Sequence, residues 1–225
     1  MRALHGLCEG NGLNPESKFA IDWWKNRHAA PQGYFPNMEQ HKNWRLYPEM
    51  APWFVAIAEP RPEDTALEIG AGYGQWMAPM SRLVRRVDGF DIHPSLVTKF
   101  NELLGSVSNV RMRLGDGTSI PVEFFVGEYS LIYSISVFQH MPRAIVHGYI
   151  KEATQILAKD GRCVFHFRHA DNNGPYSKDI AVDHKGDWSV GWTEQEAVDA
   201  CAAAGLKVVK VDAGGNSLIV KAVHA

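Results

Sequence analysis

The chain runs to 225 residues, 45% of them hydrophobic and 21% charged, with a formal net charge of -2; that length and apolar share support a full core in one domain with an appendage. The charge balance excludes a general electrostatic attraction to nucleic acid or to an anionic membrane surface, so a small-molecule partner is expected. Cys8, Cys163 and Cys201 lie far apart without CxxC spacing, which argues against a disulfide framework or a thiolate zinc site and for a reducing, cytoplasmic setting.

The opening stretch "MRALHGLCEGNGLNPE" has no apolar core of signal-peptide length, and no later segment approaches the roughly 20 apolar residues of a membrane span. Trp23, Trp24, Tyr34, Phe35, Trp44, Tyr47, Trp53 and Phe54 then crowd a region that ends at "EPRPED". Helices fit at 17–27 and 42–58, the second kinked or divided by Pro48 and Pro52. Residues 1–62 are therefore expected to form a helical, aromatic-rich cap, and 63–225 the main domain.

From Thr65 onward β-branched runs alternate with amphipathic ones. Strands are expected at "TALEIG" (65–70), "RRVDGFDI" (85–92), "NVRMRLG" (109–115), "YSLIYSIS" (129–136), "GRCVFHF" (161–167), "LKVVKV" (206–211) and "SLIVKAV" (217–223). Helices fit between them at 75–83, 94–104, 142–158 and 193–204, the last with Thr193 as N-cap and Glu196 as its capping-box partner. Only "DAGGN" separates the final two strands, which is hairpin spacing. The pattern is that of a three-layer, Rossmann-like α/β fold: seven strands, mostly parallel, the last antiparallel. Residues 168–192 form a long polar segment after the fifth strand, at the sheet edge where open α/β folds bind ligands, and read as a substrate lid.

The first strand breaks into "GAGYG", with Gly70, Gly72 and Gly74 baring the backbone at the start of a helix. The spacing is GxGxG, with Gln75 where the dinucleotide fingerprint GxGxxG has its last glycine, which counts against NAD or FAD. The second strand ends in Asp91, a carboxylate placed to accept from both hydroxyls of a ribose, and the third runs into "LGDGTSIP", whose Asp116 and Gly117 suit the edge of an adenine.

These motifs resemble those of the class I S-adenosylmethionine-dependent methyltransferases: "LEIGAGYG" their first motif, "GFDIHPSLV" the ribose-binding strand, "RLGDGTSIP" the adenine-contact motif, "YSLIYSISVFQHMPRA" and "ILAKDGRCVFHF" the fourth and fifth strands. The resemblance covers roughly 65–223. It implies S-adenosyl-L-methionine as cofactor and S-adenosyl-L-homocysteine as product. It also implies that Gly70, Ala71, Gly72 and Gly74 carry the methionine part, Asp91 the ribose, and Ile92, Asp116 and Gly117 the adenine. Glu68 and Ser134, at the ends of the first and fourth strands, join this set, and Arg45 in "NWRLYPEM" suits the cofactor carboxylate.

Methyl transfer from a sulfonium is an in-line displacement that needs alignment and, for a hydroxyl acceptor, a base. His140 in "SVFQHMP" is the first candidate, with His166 and His169 in "CVFHFRHADN" on the same side of the sheet; His184 lies in the expected lid. Asp171-Asn172 resembles half of the Mg²⁺ site of catechol-type relatives, but the fourth strand supplies no matching carboxylate, so no metal is expected. A looser similarity of "GYFPN" and "FHFRHADN" to bacterial methyltransferases of sugars and glycans points to O-methylation of a small-molecule or saccharide hydroxyl, with N-methylation of a small amine, or binding without catalysis, as alternatives. Neither a basic run nor a nucleic-acid methyltransferase motif follows the fourth strand, so no nucleic-acid substrate and no membrane partner are expected; the oligomeric state stays open.

Overall fold

Alternation explains how β1 (Thr65–Ile69) is covered on both sides: Leu67 and Ile69 pack into one apolar cluster and Ala66 into another, and the whole strand is buried. In the computed structural model, which describes residues 15–26, 46–126, 128–170 and 190–225, β1 lies near the middle of one sheet. Parallel to it run β2 (Arg86–Asp91) and β3 (Val110–Leu114) on one side, and β4 (Tyr129–Ser134) and β5 (Leu157–His169) on the other. The chain order of the strands reverses between β1 and β4, so their carboxyl ends open a crevice at that point.

Two details add to the expected sheet. A short β6 (Gly191–Trp192) pairs in parallel with Arg168 and His169 at the end of β5, making an eighth strand within the region read as lid. The antiparallel strand, β8 (Ser217–His224), lies one position in from the rim, between β5 and the edge strand β7 (Leu206–Gly214). Composition decides which of the two is inside: half of β8 is buried and none of it is exposed, whereas β7 places Lys207, Val209 and Lys210 outward and tolerates the edge.

Helices α1 (Pro15–Asn26), α2 (Pro52–Ala58), α3 (Met77–Met80), α4 (Pro94–Leu104), α5 (Arg143–Ile156) and α6 (Glu194–Ala203) cover the sheet. The α4 bounds match the expected 94–104, with proline in the first turn, and α6 carries the expected Thr193/Glu196 capping box. The helix expected over 42–58 reaches back only to Pro52 among the described residues; residues 46–51 are irregular, as Pro48 and Pro52 require. The segment ahead of β1 contributes to both layers: Ala20 and Ile21 of α1 join the cluster of α5 and α6, while Phe54, Ile57 and Ala58 of α2 join that of α3 and α4. No helix of the described residues is long and apolar enough to cross a membrane.

Candidate active site

The turn after β1 is shaped by close approaches. Gly70 and Gly72 have φ of +73° and +59°, where a side chain is strained. A Cβ at Gly70 would stand 2.5 Å from Val137, in the turn after β4, and one at Gly72 would stand 2.7 Å from the Gln75 amide. Gly74 serves packing instead, since a Cβ there would strike Phe100 and Leu104 of α4.

Beside this turn, at the carboxyl ends of β1, β2 and β4, lies a cavity of about 400 Å³. Gly70, Gly72, Asp91, Ile92, Gly117 and His140 line it, each an expected site residue. The two oxygens of Asp91 accept the Gly72 amide at 2.8 Å and the His93 amide at 2.9 Å, which pins the carboxylate to the glycine turn. Burial nonetheless pushes its carboxyl up to about 6, since these two bonds and the Ile92 amide offset only part of the desolvation. A carboxylate has about four lone-pair sites, so these amides leave acceptor capacity for a ligand. Gly117, at φ +92°, leaves the space that Ile92 and Ile21 of α1 occupy, so the cavity narrows to an apolar slot at that end.

Other expected site residues support the wall rather than form it. Glu68 is 1% exposed and accepts the Tyr133 hydroxyl at 2.9 Å; burial, with the nearby Asp91 charge, raises its carboxyl well above the usual range. Ser134 donates to the Ile69 carbonyl at 3.1 Å, and Ala71 is buried against the backbone of Gly89. Asp116 also stands off the cavity wall. Its carboxylate accepts the Thr118 and Ser119 amides at 2.7 and 3.0 Å and so folds its own turn, while its neighbours Gly115 and Gly117 reach the cavity. Burial opposes its ionisation, but the Thr118 and Ser119 bonds outweigh that and hold it below the usual carboxylate range. Arg45, Asp171, Asn172 and His184 lie outside the described residues, as does most of the expected lid.

Of the three candidate histidines the cavity brings in one. His140 lies on its wall, in a short 3-10 turn, with its ring 5.1 Å from that of Trp24, whose indole N–H donates to the His140 carbonyl at 3.2 Å. The Gln139 amide nitrogen meets its Nε2 at 3.0 Å. His166 and His169 are absent from the wall. His169 ends β5, its amide donating to the Asn216 carbonyl. His166 accepts the Ser136 amide on Nδ1 at 3.1 Å and meets the Ser217 hydroxyl through Nε2 at 2.8 Å. A backbone N–H can only donate, so the neutral ring carries its proton on Nε2. Burial first, then the Arg168 charge, push this imidazole down to about 4, which keeps it neutral and its Nδ1 free to accept. His166 thus braces Ser136, a non-glycine residue at φ +60° on the cavity wall. His166→Ala is expected to cost about 1–3 kcal/mol in urea denaturation, by leaving the Ser136 amide unpaired; undiminished stability would show the brace to be dispensable.

Residues that the sequence reading did not assign complete the wall: Trp24 from α1, Tyr47 and Trp76 stacked at 4.2 Å, Gln75, Gln139 and Met141. The signals were the crowded aromatics ahead of β1 and the glutamine standing in place of a fingerprint glycine. Among the described residues no group of three His, Cys, Asp or Glu side chains is arranged to hold a metal ion.

A glycine turn, a buried carboxylate on the next strand and a bare third-strand turn around one cavity invite comparison with known proteins. Residues 66–161 match a family model described as a methyltransferase domain. Over that span, less than half of its length, the chain is similar to methyltransferase domains. A probable ribosomal RNA small subunit methyltransferase A of Methanosarcina mazei is 35% identical over 83 residues, 36% of this chain and 31% of that protein. The chain thus matches about a third of the length of such curated relatives. Among solved structures, the DhpI complex with S-adenosylhomocysteine superposes with a TM-score of 0.64 at 14% identity, over 95% of this chain and 99% of that one. A TehB-like methyltransferase from Corynebacterium glutamicum gives 0.57 at 17% identity, over 93% and 98%. The glycopeptide N-methyltransferase MtfA with sinefungin gives 0.59 at 14%, over 77% and 84%. At such identities these likenesses establish the fold and no more.

Proposed function

We propose that this protein methylates a hydroxyl of a small molecule or saccharide, using S-adenosylmethionine held by Gly70, Gly72, Asp91, Ile92 and Gly117, with His140 as the base. The observation that carries this reading is that these residues and His140 line one cavity. The fit is physical: two glycines bare the wall, Asp91 offers lone pairs where a ribose would donate, and Ile92 with Ile21 gives an apolar slot for a flat base. When bound, S-adenosylmethionine supplies a methyl group on a positively charged sulfur, which departs as the neutral thioether.

The chain's own part is to align, to exclude water and to move one proton. Trp24, Met141 and Ile145 wall the His140 side of the cavity with apolar surface and keep it dry. Gln139 donates to His140 Nε2, which leaves that nitrogen unprotonated. An acceptor hydroxyl takes the place of the Gln139 amide, gives its proton to Nε2 as the new O–C bond forms, and needs no covalent attachment to the enzyme. No Lys or Arg lies on the described wall, and the net charge is -2, both of which support a small uncharged acceptor rather than nucleic acid.

N-methylation is the second reading, because the basic nitrogen of His140 is already engaged by Gln139 and an uncharged amine needs no base. His140→Ala separates the two. Titration calorimetry is expected to show S-adenosylhomocysteine bound within about threefold of wild type, while turnover on a panel of hydroxylated small molecules and sugars falls at least about a hundredfold, as for loss of a general base. Activity confined to amine acceptors and unchanged in His140→Ala would sink the O-methylation reading.

A further inference from the structure

We infer that the side-chain amide of Gln75 recognises the amino-acid end of the cofactor, its Oε1 accepting a hydrogen bond from the α-ammonium of the methionine moiety; this rests on the S-adenosylmethionine reading above. Gln75 Oε1 is buried and has no hydrogen-bond partner, and the residue lines the cavity. A buried carbonyl left unpaired costs stability that a donor arriving with the ligand restores, so it marks a place where a donor belongs. The amide lies against Gly72, 2.7 Å from where a Cβ would stand. The backbone is therefore bare at Gly72 partly to admit this side chain over it.

Position identifies the donor. Ile92, Ile21 and Gly117 form the apolar slot at one end, and Asp91 follows, tied to Gly72. Gln75 then lies beyond Asp91 on the glycine turn, where a ligand with its base in the slot and its ribose on Asp91 places its amino-acid tail. That tail carries an ammonium and a carboxylate together. A neutral carbonyl accepts from the ammonium without repelling the carboxylate, as a glutamate in its place would do. The residue is also held in place: its carbonyl accepts the Tyr47 amide at 3.3 Å, and the next residue, Trp76, stacks on the Tyr47 ring.

Titration calorimetry with three ligands tests the assignment: S-adenosylhomocysteine, its decarboxylated amine S-adenosyl-3-thiopropylamine, and 5′-methylthioadenosine, which lacks the amino-acid tail. Gln75→Leu is expected to weaken the first two about tenfold or more and to leave the third within about twofold. Its ligand-free melting temperature is expected to be no lower than wild type, since an apolar isostere replaces an unpaired acceptor, which a purely structural role would not allow. Equal loss for all three ligands, or for none, overturns the inference. Loss for S-adenosylhomocysteine alone also overturns it, assigning the amide to the carboxylate. A wild-type protein that binds none of the three removes the cofactor reading itself.

Discussion

Asp91→Ala is expected to raise the dissociation constant for S-adenosylhomocysteine by at least about a hundredfold, because two hydrogen bonds to a carboxylate are worth about 1.5–3 kcal/mol each. The substitution also removes the acceptor of the Gly72 and His93 amides, so the glycine turn loses its tie to β2 at the same time. The pH dependence distinguishes these two losses. Burial pushes the Asp91 carboxyl up to about 6 in the folded protein. Between the ordinary carboxylate range and that value the native state binds more protons than the unfolded one, so this group's contribution to stability declines as pH rises through the window. Ribose hydroxyls donate to the ionised form. Affinity is therefore expected to be full above about pH 7 and to fall by about tenfold for each unit below 6. Calorimetry on wild type at pH 7.5 and pH 5.0 reads the slope. Equal affinity at both, with Asp91→Ala unimpaired, would remove Asp91 from the cofactor site.

The parts of this site legible in the sequence were those encoded by short-range pattern. The end of β1 in glycines, the acidic residue closing β2, the proline start of α4 and the Thr193/Glu196 box of α6 all depend on neighbours a few residues away, and all appear where spacing put them. Long-range contacts decided the rest. His166 resembled a catalytic base until Ser136 and Ser217, distant in the chain, took both its ring nitrogens. Trp24 reaches the cavity through a bond to a residue 116 positions away, which no local pattern encodes. Asp116 shows the opposite case: its carboxylate finds donors two and three residues on and closes a local turn.

The largest expected loss of stability lies away from the cavity. Arg162→Leu is expected to destabilise the protein by about 3–5 kcal/mol in urea denaturation, as when one partner of a buried ion pair is deleted. Arg162 and Asp64 have side chains only 4% and 2% exposed, with Nη2 and Oδ2 2.6 Å apart. The guanidinium also donates to the carbonyls of Ala58, Glu59 and Ser130. It thereby fastens the end of α2 to β4 and β5. Burial raises the Asp64 carboxyl, but Arg162, the Ser130 hydroxyl and the Arg61 amide outweigh that and hold it below the usual range. A carboxyl so depressed adds stability above its unfolded pKa and loses it as pH falls through its folded one. In Arg162→Leu the balance reverses, leaving burial without its main opponent, so Asp64 protonates earlier and the stability gap to wild type narrows on acidification. Removing both partners in Arg162→Leu/Asp64→Leu is expected to recover part of the loss, since no unpaired charge remains buried. A double variant as unstable as the single one would place the loss in the α2 carbonyls instead. Because α2 follows directly on the segment that carries Tyr47 to the cavity wall, such a result would tie the fastening of this helix to the shape of the site.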